Sequence, residues 1–352
     1  KRSSHKFQRL YMSLLRRGRI KIVLISVLAA IGCEICNADG LRDRLMREQA
    51  DSFLRAMPDS LQYRQAMAVS RAISGDLTDL VAVRSSRDRH PAVSENVRTR
   101  ELSPVLRLYE PVSDDGGALP LLIYLHGGGW TFGSINSCGR FCDAMAATGK
   151  MKVMAVEYRL APENPYPCGY LDCVDAIGYA VDNCEELGID NDRISVGGDS
   201  AGGNLAIAAS LSPECAGKVE SLVLFYPVVL AFADDSDSWR EFGEGYGLDA
   251  FLMEQFNLAY APEVPSGIPH IDVGTFPVDE LERLPRTLMV AAGRDILRDQ
   301  GIRFAEKVPS GRIRRVEFSD AVHLFITVPG QEKAFRSAVG LATGFILEDV
   351  RL

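Results

Sequence analysis

The chain has 352 residues, 47% of them apolar and 24% charged, with a formal net charge of -8. That length accommodates one large α/β domain or two ordinary ones, and the composition excludes a disordered or fibrous chain. The charge is uneven: residues 1–31 carry eight Lys and Arg and no acid. The remainder is therefore strongly acidic, which argues against nucleic acid as a partner.

The basic start runs into Ile22–Ile31, an apolar stretch interrupted only by Ser26 and far short of the ~20 residues that span a bilayer. Positive charge, a short apolar core and then small residues make residues 1–38 an export signal. Cleavage after Ala38 would release a periplasmic protein. Alternatively, Ala30-Ile31-Gly32-Cys33 resembles a bacterial lipoprotein box, which would leave Cys33 lipid-bearing and the protein anchored to the cell envelope. A buried core helix in a cytoplasmic protein is the remaining reading, and Met12 is a candidate start residue. The eight cysteines have spacings that match neither a zinc ribbon nor a redox motif, so buried free thiols are expected. With five histidines and no His-Glu-x-x-His, neither a metal site nor a cofactor is expected.

Residues 39–99 read as an N-terminal helical segment and linker. Leu41, Leu45, Phe53, Leu54 and Met57 fall at helical spacing, Pro58 breaks the run, and Leu61, Met67, Val69 and Ile73 mark a second amphipathic stretch. The pair is either a packing element or part of a lid, and residues 75–100 are charged and irregular. Residues 100–352 read as the main domain, beginning with an edge strand at Glu101–Val112. Leu119–Leu125 is a continuous apolar run, as in a parallel strand buried on both faces. It delivers His126-Gly127-Gly128-Gly129-Trp130, whose glycines let backbone amides aim at one point, as a developing oxyanion requires. Met151–Val156 is the next strand; Glu157–Pro167 and a helix of about 16 residues follow.

A β-branched run then meets Gly198-Asp199-Ser200-Ala201-Gly202, and the small residues Ala206, Ala208 and Ala209 continue as a helix. This is Gly-x-Ser-x-Gly in the strand–turn–helix setting of a nucleophile elbow. Glycines on either side allow a turn tight enough to strain Ser200 and to present its hydroxyl beside a helix N-terminus. Alone, the motif also fits a small-residue turn carrying a surface serine. Val219–Tyr226 supplies a further strand. The aromatic segment 232–271, which includes Trp239, Tyr246 and Phe256, reads as a lid insertion, with plain core packing as the alternative. Arg286–Ala292 and Arg314–Phe318 end near Asp295 and His323. Strands alternating with helices imply the α/β class, with a doubly wound, mostly parallel sheet.

Order along the chain selects a triad. In the hydrolase order serine, acid, histidine, only His270 and His323 follow Ser200, and His270 precedes the best acid. Asp295 stands at a strand end, whereas Asp234, Asp235 and Asp237 lie in a solvated acidic run and Asp299 on an exposed helix turn. The catalytic assignment is Ser200, Asp295 and His323.

Five ordered motifs carry a family resemblance: His126–Trp130, Tyr158-Arg159-Leu160-Ala161-Pro162-Glu163, Gly198–Asn204, Asp295–Asp299 and His323. Over about residues 100–345 the chain resembles the hormone-sensitive-lipase-like (bacterial family IV) carboxylesterases of the α/β-hydrolase fold. The resemblance implies hydrolysis of short-chain, acetyl-type esters through an acyl-enzyme, under a cap built from the N-terminal helices and the 232–271 insertion. In that mechanism the backbone amides of Gly127, Gly128 and Ala201 bind the oxyanion, and His126 braces the glycine loop. Trp130 reads as a pocket wall or a core residue, Tyr246 as part of the pocket, and Glu163 with Arg159 as a structural ion pair or loop brace. Leu324 stands after the histidine, where the family commonly has a smaller residue, so it bears on pocket shape. The partners expected are a small ester, acetylated carbohydrate among the candidates, and a second copy of the chain in a homodimer. A lipase acting on longer chains, an amidase, and a non-catalytic small-molecule-binding protein are the rival readings.

Overall fold

The computed structural model describes residues 44–112, 116–232, 235–262, 267–309 and 311–348. The segment read as an export or lipoprotein signal, with Cys33 and Cys36, lies outside these residues, as does Asp234.

Three helices open the fold: α1 (44–56), α2 (Leu61–Ile73) and α3 (Thr78–Arg87). A hairpin of β1 (Val97–Ser103) and β2 (Leu106–Pro111) follows, and then β3 (Leu119–Leu125). Helix α4 (Gly139–Ala146), strand β4 (Lys152–Val156) and helices α5 (Cys168–Asp182) and α6 (Cys184–Leu187) lead to β5 (Ile189–Asp199). After α7 (Ala201–Ser210) and β6 (Ser221–Phe225) come α8 (Asp237–Glu241), α9 (Ala250–Tyr260) and α10 (Val278–Leu281). The described fold closes with β7 (Arg286–Arg294), α11 (Arg298–Lys307), β8 (Ile313–Val322) and α12 (Glu332–Leu347).

The eight strands form one sheet in the order β1-β2-β4-β3-β5-β6-β7-β8. Strand β2 is antiparallel to both neighbours and every other pairing is parallel. The sequence order winds outward from β3 to β4 and then returns to β5 on the other side. The crevice beyond the carboxyl ends of β3 and β5 is thus a topological switch point, where sheets of this kind hold ligands.

Strand alternation sends side chains to two separate apolar layers. Leu121, Ile123 and Leu125 of β3 join Ile177 of α5 and Leu205 of α7, while Leu122 and Tyr124 join Phe141 of α4 and Phe345 of α12. With both faces covered, the central strands contain almost no exposed residue, and each fully buried large side chain contributes roughly 1.5–3 kcal/mol of transfer energy.

Two expectations need correction. Residues 75–100 are not irregular: they contain α3, and the edge strand begins at Val97, with β2 buried behind it. The basic and acidic residues there obscure the pattern because α3 buries only Leu80 fully. In α2, Ile73 is 39% exposed, whereas Val69 is buried as expected, on a face otherwise made of small and amide side chains such as Gln62 and Ala66. Gln62 is buried because it serves the insertion: its Nε2 donates to the Gly247 carbonyl at 3.0 Å.

The N-terminal helices pack over the carboxyl edge of the sheet. From α1, Arg47 pairs with Asp320 at 2.6 Å and Asp51 with Arg294 at 2.7 Å. Ala50 and Phe53 of α1 form a small apolar cluster with Val322, against which Tyr246 and Leu324 pack. The aromatic residues of the insertion divide: Phe242, Phe256 and Tyr260 are buried in the main apolar cluster, Phe232, Trp239 and Tyr246 are partly buried against it, and Phe251 is exposed. No helix among the described residues is long and apolar enough to cross a membrane.

Candidate active site

Strand β5 ends at Asp199 and α7 begins at Ala201, leaving Ser200 to make the turn. Its backbone sits at φ 54° and ψ -119°, a conformation that costs a non-glycine residue about 1–3 kcal/mol. Backbone hydrogen bonds hold it there. Ser200 N–H donates to the Phe225 carbonyl at 3.0 Å, and the Ser200 carbonyl accepts from Asn204 at 3.2 Å and Val228 at 3.1 Å. A Cβ on Gly202 would stand 2.0 Å from the Leu125 carbonyl oxygen, and one on Gly198 would stand 2.4 Å from the Gly202 backbone. Only glycine lets strand, turn and helix close this tightly.

Ser200 Oγ lies 3.1 Å from Nε2 of His323, and His323 Nδ1 lies 2.6 Å from Oδ2 of Asp295. All three side chains are buried. The second oxygen of Asp295 accepts the Leu297 N–H at 3.0 Å, which fixes the carboxylate plane. The Tyr226 ring lies 4.4 Å from the imidazole. Three residues expected from chain order thus form one hydrogen-bonded line. Such a line can remove the hydroxyl proton as the oxygen attacks, while the carboxylate holds the tautomer and stabilises the imidazolium.

Facing the serine is the loop after β3. The Gly127 N–H donates to Asp199 Oδ1 at 3.0 Å, which corrects the expectation that Gly127 binds an oxyanion: its donor is already used. The Gly128 and Gly129 amides make no hydrogen bond to a described residue, and Ala201, first in α7, has no preceding carbonyl to meet. Gly128, Gly129 and Ala201 are the donors left for an oxyanion. Glycine is required at both loop positions, where φ is +120° and +60° and an added Cβ would strike the Phe132 carbonyl at 2.6 Å or the Phe256 ring at 2.1 Å.

His126 braces this loop. It is stacked 4.2 Å from the Tyr158 ring, with Nδ1 3.0 Å from the Gly127 carbonyl. Burial pushes its pKa down to about 4, so the ring is neutral and the Nδ1–H donates, fixing the peptide plane that carries the Gly128 amide. Asp199 accepts from the Tyr124 hydroxyl and from Gly127, both at 3.0 Å. Burial pushes the Asp199 carboxyl up to about 6 despite those two hydrogen bonds.

The other expected residues divide. Trp130 is 1% exposed and lies flat on Tyr260 at 4.5 Å with 3° between the rings; it is a core residue rather than a pocket wall. Tyr246 packs edge-on to Phe242 at 4.9 Å, and Gly247, next along, lies against the His323 backbone. Leu324 has φ +72°, a left-handed backbone that only glycine adopts without a steric penalty. Arg159 pairs with Asp172 at 2.7 Å and Glu163 with Arg84 at 2.6 Å, so the Glu163–Arg159 pair is not formed. Asp299 is half-buried rather than exposed, accepting the Ser238 N–H at 2.8 Å.

Sequence reasoning passed over three contributors. Gly129 and Asp199 stood inside motifs already singled out. Gln331 had no signal at all: it is buried and bonds the Val322 N–H at 3.0 Å, the Val322 carbonyl at 3.2 Å and the His323 carbonyl at 3.1 Å. The six described cysteines are unpaired, and no group of three metal-ligating side chains occurs among the described residues.

Residues 122–327 match the profile of a family described by its α/β-hydrolase fold. The chain belongs to the α/β-hydrolase family. Within it, the chain stands among carboxylic ester hydrolases. It is 31% identical over 249 residues to an arylesterase of Saccharolobus solfataricus, covering 70% of this chain and 79% of that one. It is 36% identical over 218 residues to an ethyl acetate hydrolase of Pseudomonas putida, covering 57% of this chain and 64% of the relative. The solved carboxyl esterase 2 of the mycorrhizal fungus Tuber melanosporum superposes with a TM-score of 0.67 at 27% identity, covering 74% of this chain and 90% of that structure.

Proposed function

We propose that this hydrolase is a serine carboxylesterase acting on short acyl chains, acetyl esters foremost. The observation that carries the reading is the line Asp295–His323–Ser200 facing a loop with two unclaimed amides, at Gly128 and Gly129. Ser200 Oγ attacks the ester carbonyl as His323 takes its proton, and the tetrahedral oxyanion is held by the amides of Gly128, Gly129 and Ala201. Each such donor is worth about 3–4 kcal/mol in the transition state. His323 then protonates the departing alcohol, leaving an acyl group on Ser200, and next deprotonates the water that releases it.

Short-chain preference is supported by the insertion pressed against the reacting groups. Phe256 abuts Gly129, and Gly247 abuts the His323 backbone. Tyr246 and Leu324, which pack in one small apolar cluster beside His323, are the proposed pocket walls. The ethyl acetate hydrolase among the relatives fits an acetyl substrate.

The test is an initial-rate series on p-nitrophenyl esters from acetate to palmitate, with Ser200→Ala alongside. A maximum at two to four carbons that is lost in the variant supports the reading. A maximum at ten or more carbons makes the protein a lipase. No turnover by folded wild-type protein makes it a binding protein.

A further inference from the structure

Helix α3 precedes the sheet and lies outside the residues shared with the family profile, yet one of its side chains reaches the glycine loop. Arg84 Nε donates to the Thr131 carbonyl at 2.8 Å, and Nη2 donates to the Ala161 carbonyl at 2.7 Å. The same guanidinium makes a bidentate contact with Glu163 at 2.6 and 2.9 Å. The planar fork of arginine suits such a junction, since its donors point to fixed directions and a lysine would offer only a point charge.

What it joins is a backbone that needs holding. Gly128, Gly129 and Trp130 have φ of +120°, +60° and +55° in succession, and left-handed or otherwise strained residues persist only when their surroundings over-determine them. The internal bonds run from the Thr131 and Phe132 N–H groups to the Gly128 carbonyl at 3.1 and 2.8 Å and from Thr131 Oγ to the Gly129 carbonyl at 2.9 Å. Trp130 is tied outward, its carbonyl accepting the Ala161 N–H at 2.9 Å. Thr131 and Phe132 thus anchor the loop, and Arg84 fastens the peptide that joins them, through the Thr131 carbonyl, and Ala161 from outside.

We infer that Arg84 is a positioning residue for the oxyanion loop, acting through the Thr131 and Ala161 carbonyls to aim the Gly128 and Gly129 amides. This rests on the esterase reading for its catalytic consequence but not for its structural one. A transition-state effect should follow, because these amides meet full negative charge only in the tetrahedral intermediate.

The experiment uses the wild-type chain, Arg84→Met and Arg84→Lys, with p-nitrophenyl acetate kinetics normalised to sites titrated by a phosphonate ester. Inhibition by a trifluoromethyl ketone, which binds as an oxyanion-bearing adduct, is measured in parallel. Hydrogen exchange is followed on peptides covering 126–133 and, as an internal control, β6. Arg84→Met should lower kcat per titrated site by roughly 10–100-fold with KM within about two-fold, weaken the ketone by a similar factor, and speed exchange in 126–133 alone. Arg84→Lys should recover part of each effect. Unchanged kcat per titrated site with unchanged exchange overturns the inference, and so does a fall in titratable sites at constant kcat per site, which marks a folding role. If wild type does not turn over at all, the esterase reading fails. Exchange in 126–133 then decides the structural half alone.

Discussion

Strand β8 is the last of the sheet, and its final residue, Val322, presents backbone groups on the side away from β7. Gln331 pairs with them as a further strand would, its Oε1 accepting the Val322 N–H and its Nε2 donating to the Val322 and His323 carbonyls. Val322 and His323 are 0% and 1% exposed, so water does not readily replace these bonds. Gln331→Met keeps the length of the side chain and removes all three. One buried N–H left without an acceptor costs about 1–3 kcal/mol, and each carbonyl losing one of its donors costs less, giving a destabilisation of roughly 2–4 kcal/mol. With an unfolding entropy of about 2.1 cal/mol/K per residue, that is a fall in Tm of roughly 3–6 °C for a chain of this size.

The catalytic effect should be larger than the stability effect suggests, because the freed segment carries His323. A displacement of ~1 Å in a reacting group costs on the order of 100-fold. Gln331→Met and Gln331→Glu are compared by urea unfolding and by kcat for a short p-nitrophenyl ester. Glutamate retains the acceptor for Val322 N–H but turns a carboxylate oxygen toward two carbonyls, so it should be no better than methionine. Stability within 0.5 kcal/mol of wild type (about the scatter of a neutral surface change) together with full kcat in Gln331→Met would refute the surrogate-strand reasoning.

Asp199, with its carboxyl pushed up to about 6 by burial, gives a pH dependence of stability. The native state keeps its proton where the unfolded chain, near 3.9, has lost it, so the stabilisation is full below pH ~4 and is lost as pH rises through ~6, about 3 kcal/mol in all. Asp199→Asn should remove this component, seen as a wild-type-minus-variant unfolding difference that changes between pH 4 and 6; a constant difference would contradict it. At Leu324, where φ is +72°, Leu324→Gly should be more stable than Leu324→Ala by roughly 0.5–1 kcal/mol in urea unfolding, because both lose the side-chain packing and only glycine relieves the left-handed backbone. Equal stability, or a more stable alanine variant, would mean that the backbone relaxes.

The strands, their order of appearance and the triad were legible because each rests on local pattern. A doubly buried strand such as Leu119–Leu125 needs a continuous apolar run, and a nucleophile turn needs small residues at Gly198 and Gly202. What stayed hidden depends on pairing across the fold. Gly127 and Gly129 look alike in the sequence, and only the Asp199 carboxylate beneath Gly127 separates a spent amide from an available one. Arg159 is nearer to Glu163 in the chain than Arg84 is, yet the helix turn carrying Asp172 claims Arg159. The same limit applies to Trp130: the sequence shows an aromatic beside a glycine loop, and the stack on Tyr260 that takes it out of the pocket comes from a segment 130 residues away.

The described non-glycine residues with positive φ are Ser60, Trp130, Ser200, Tyr226 and Leu324, and all but the first stand just beyond the carboxyl ends of β3, β5, β6 and β8. That distribution has a geometric cause. Parallel strands leave the sheet in one direction, so groups that must converge on a single carbonyl carbon can do so only if the chain turns sharply as each strand ends. Glycine would make those turns without strain, but at Ser200 it would remove the nucleophile, and at Tyr226 the ring beside His323 and the hydroxyl that accepts the Ile326 N–H at 3.1 Å. The strain is therefore the cost of placing side chains at the bend. It is sustained by backbone bonds such as Ser200 to Phe225, by Gln331 under His323, and by Arg84 at the end of the glycine loop. Those three supports hold a site whose reacting atoms already lie 3.1 and 2.6 Å apart, so little reorganisation remains when the ester binds.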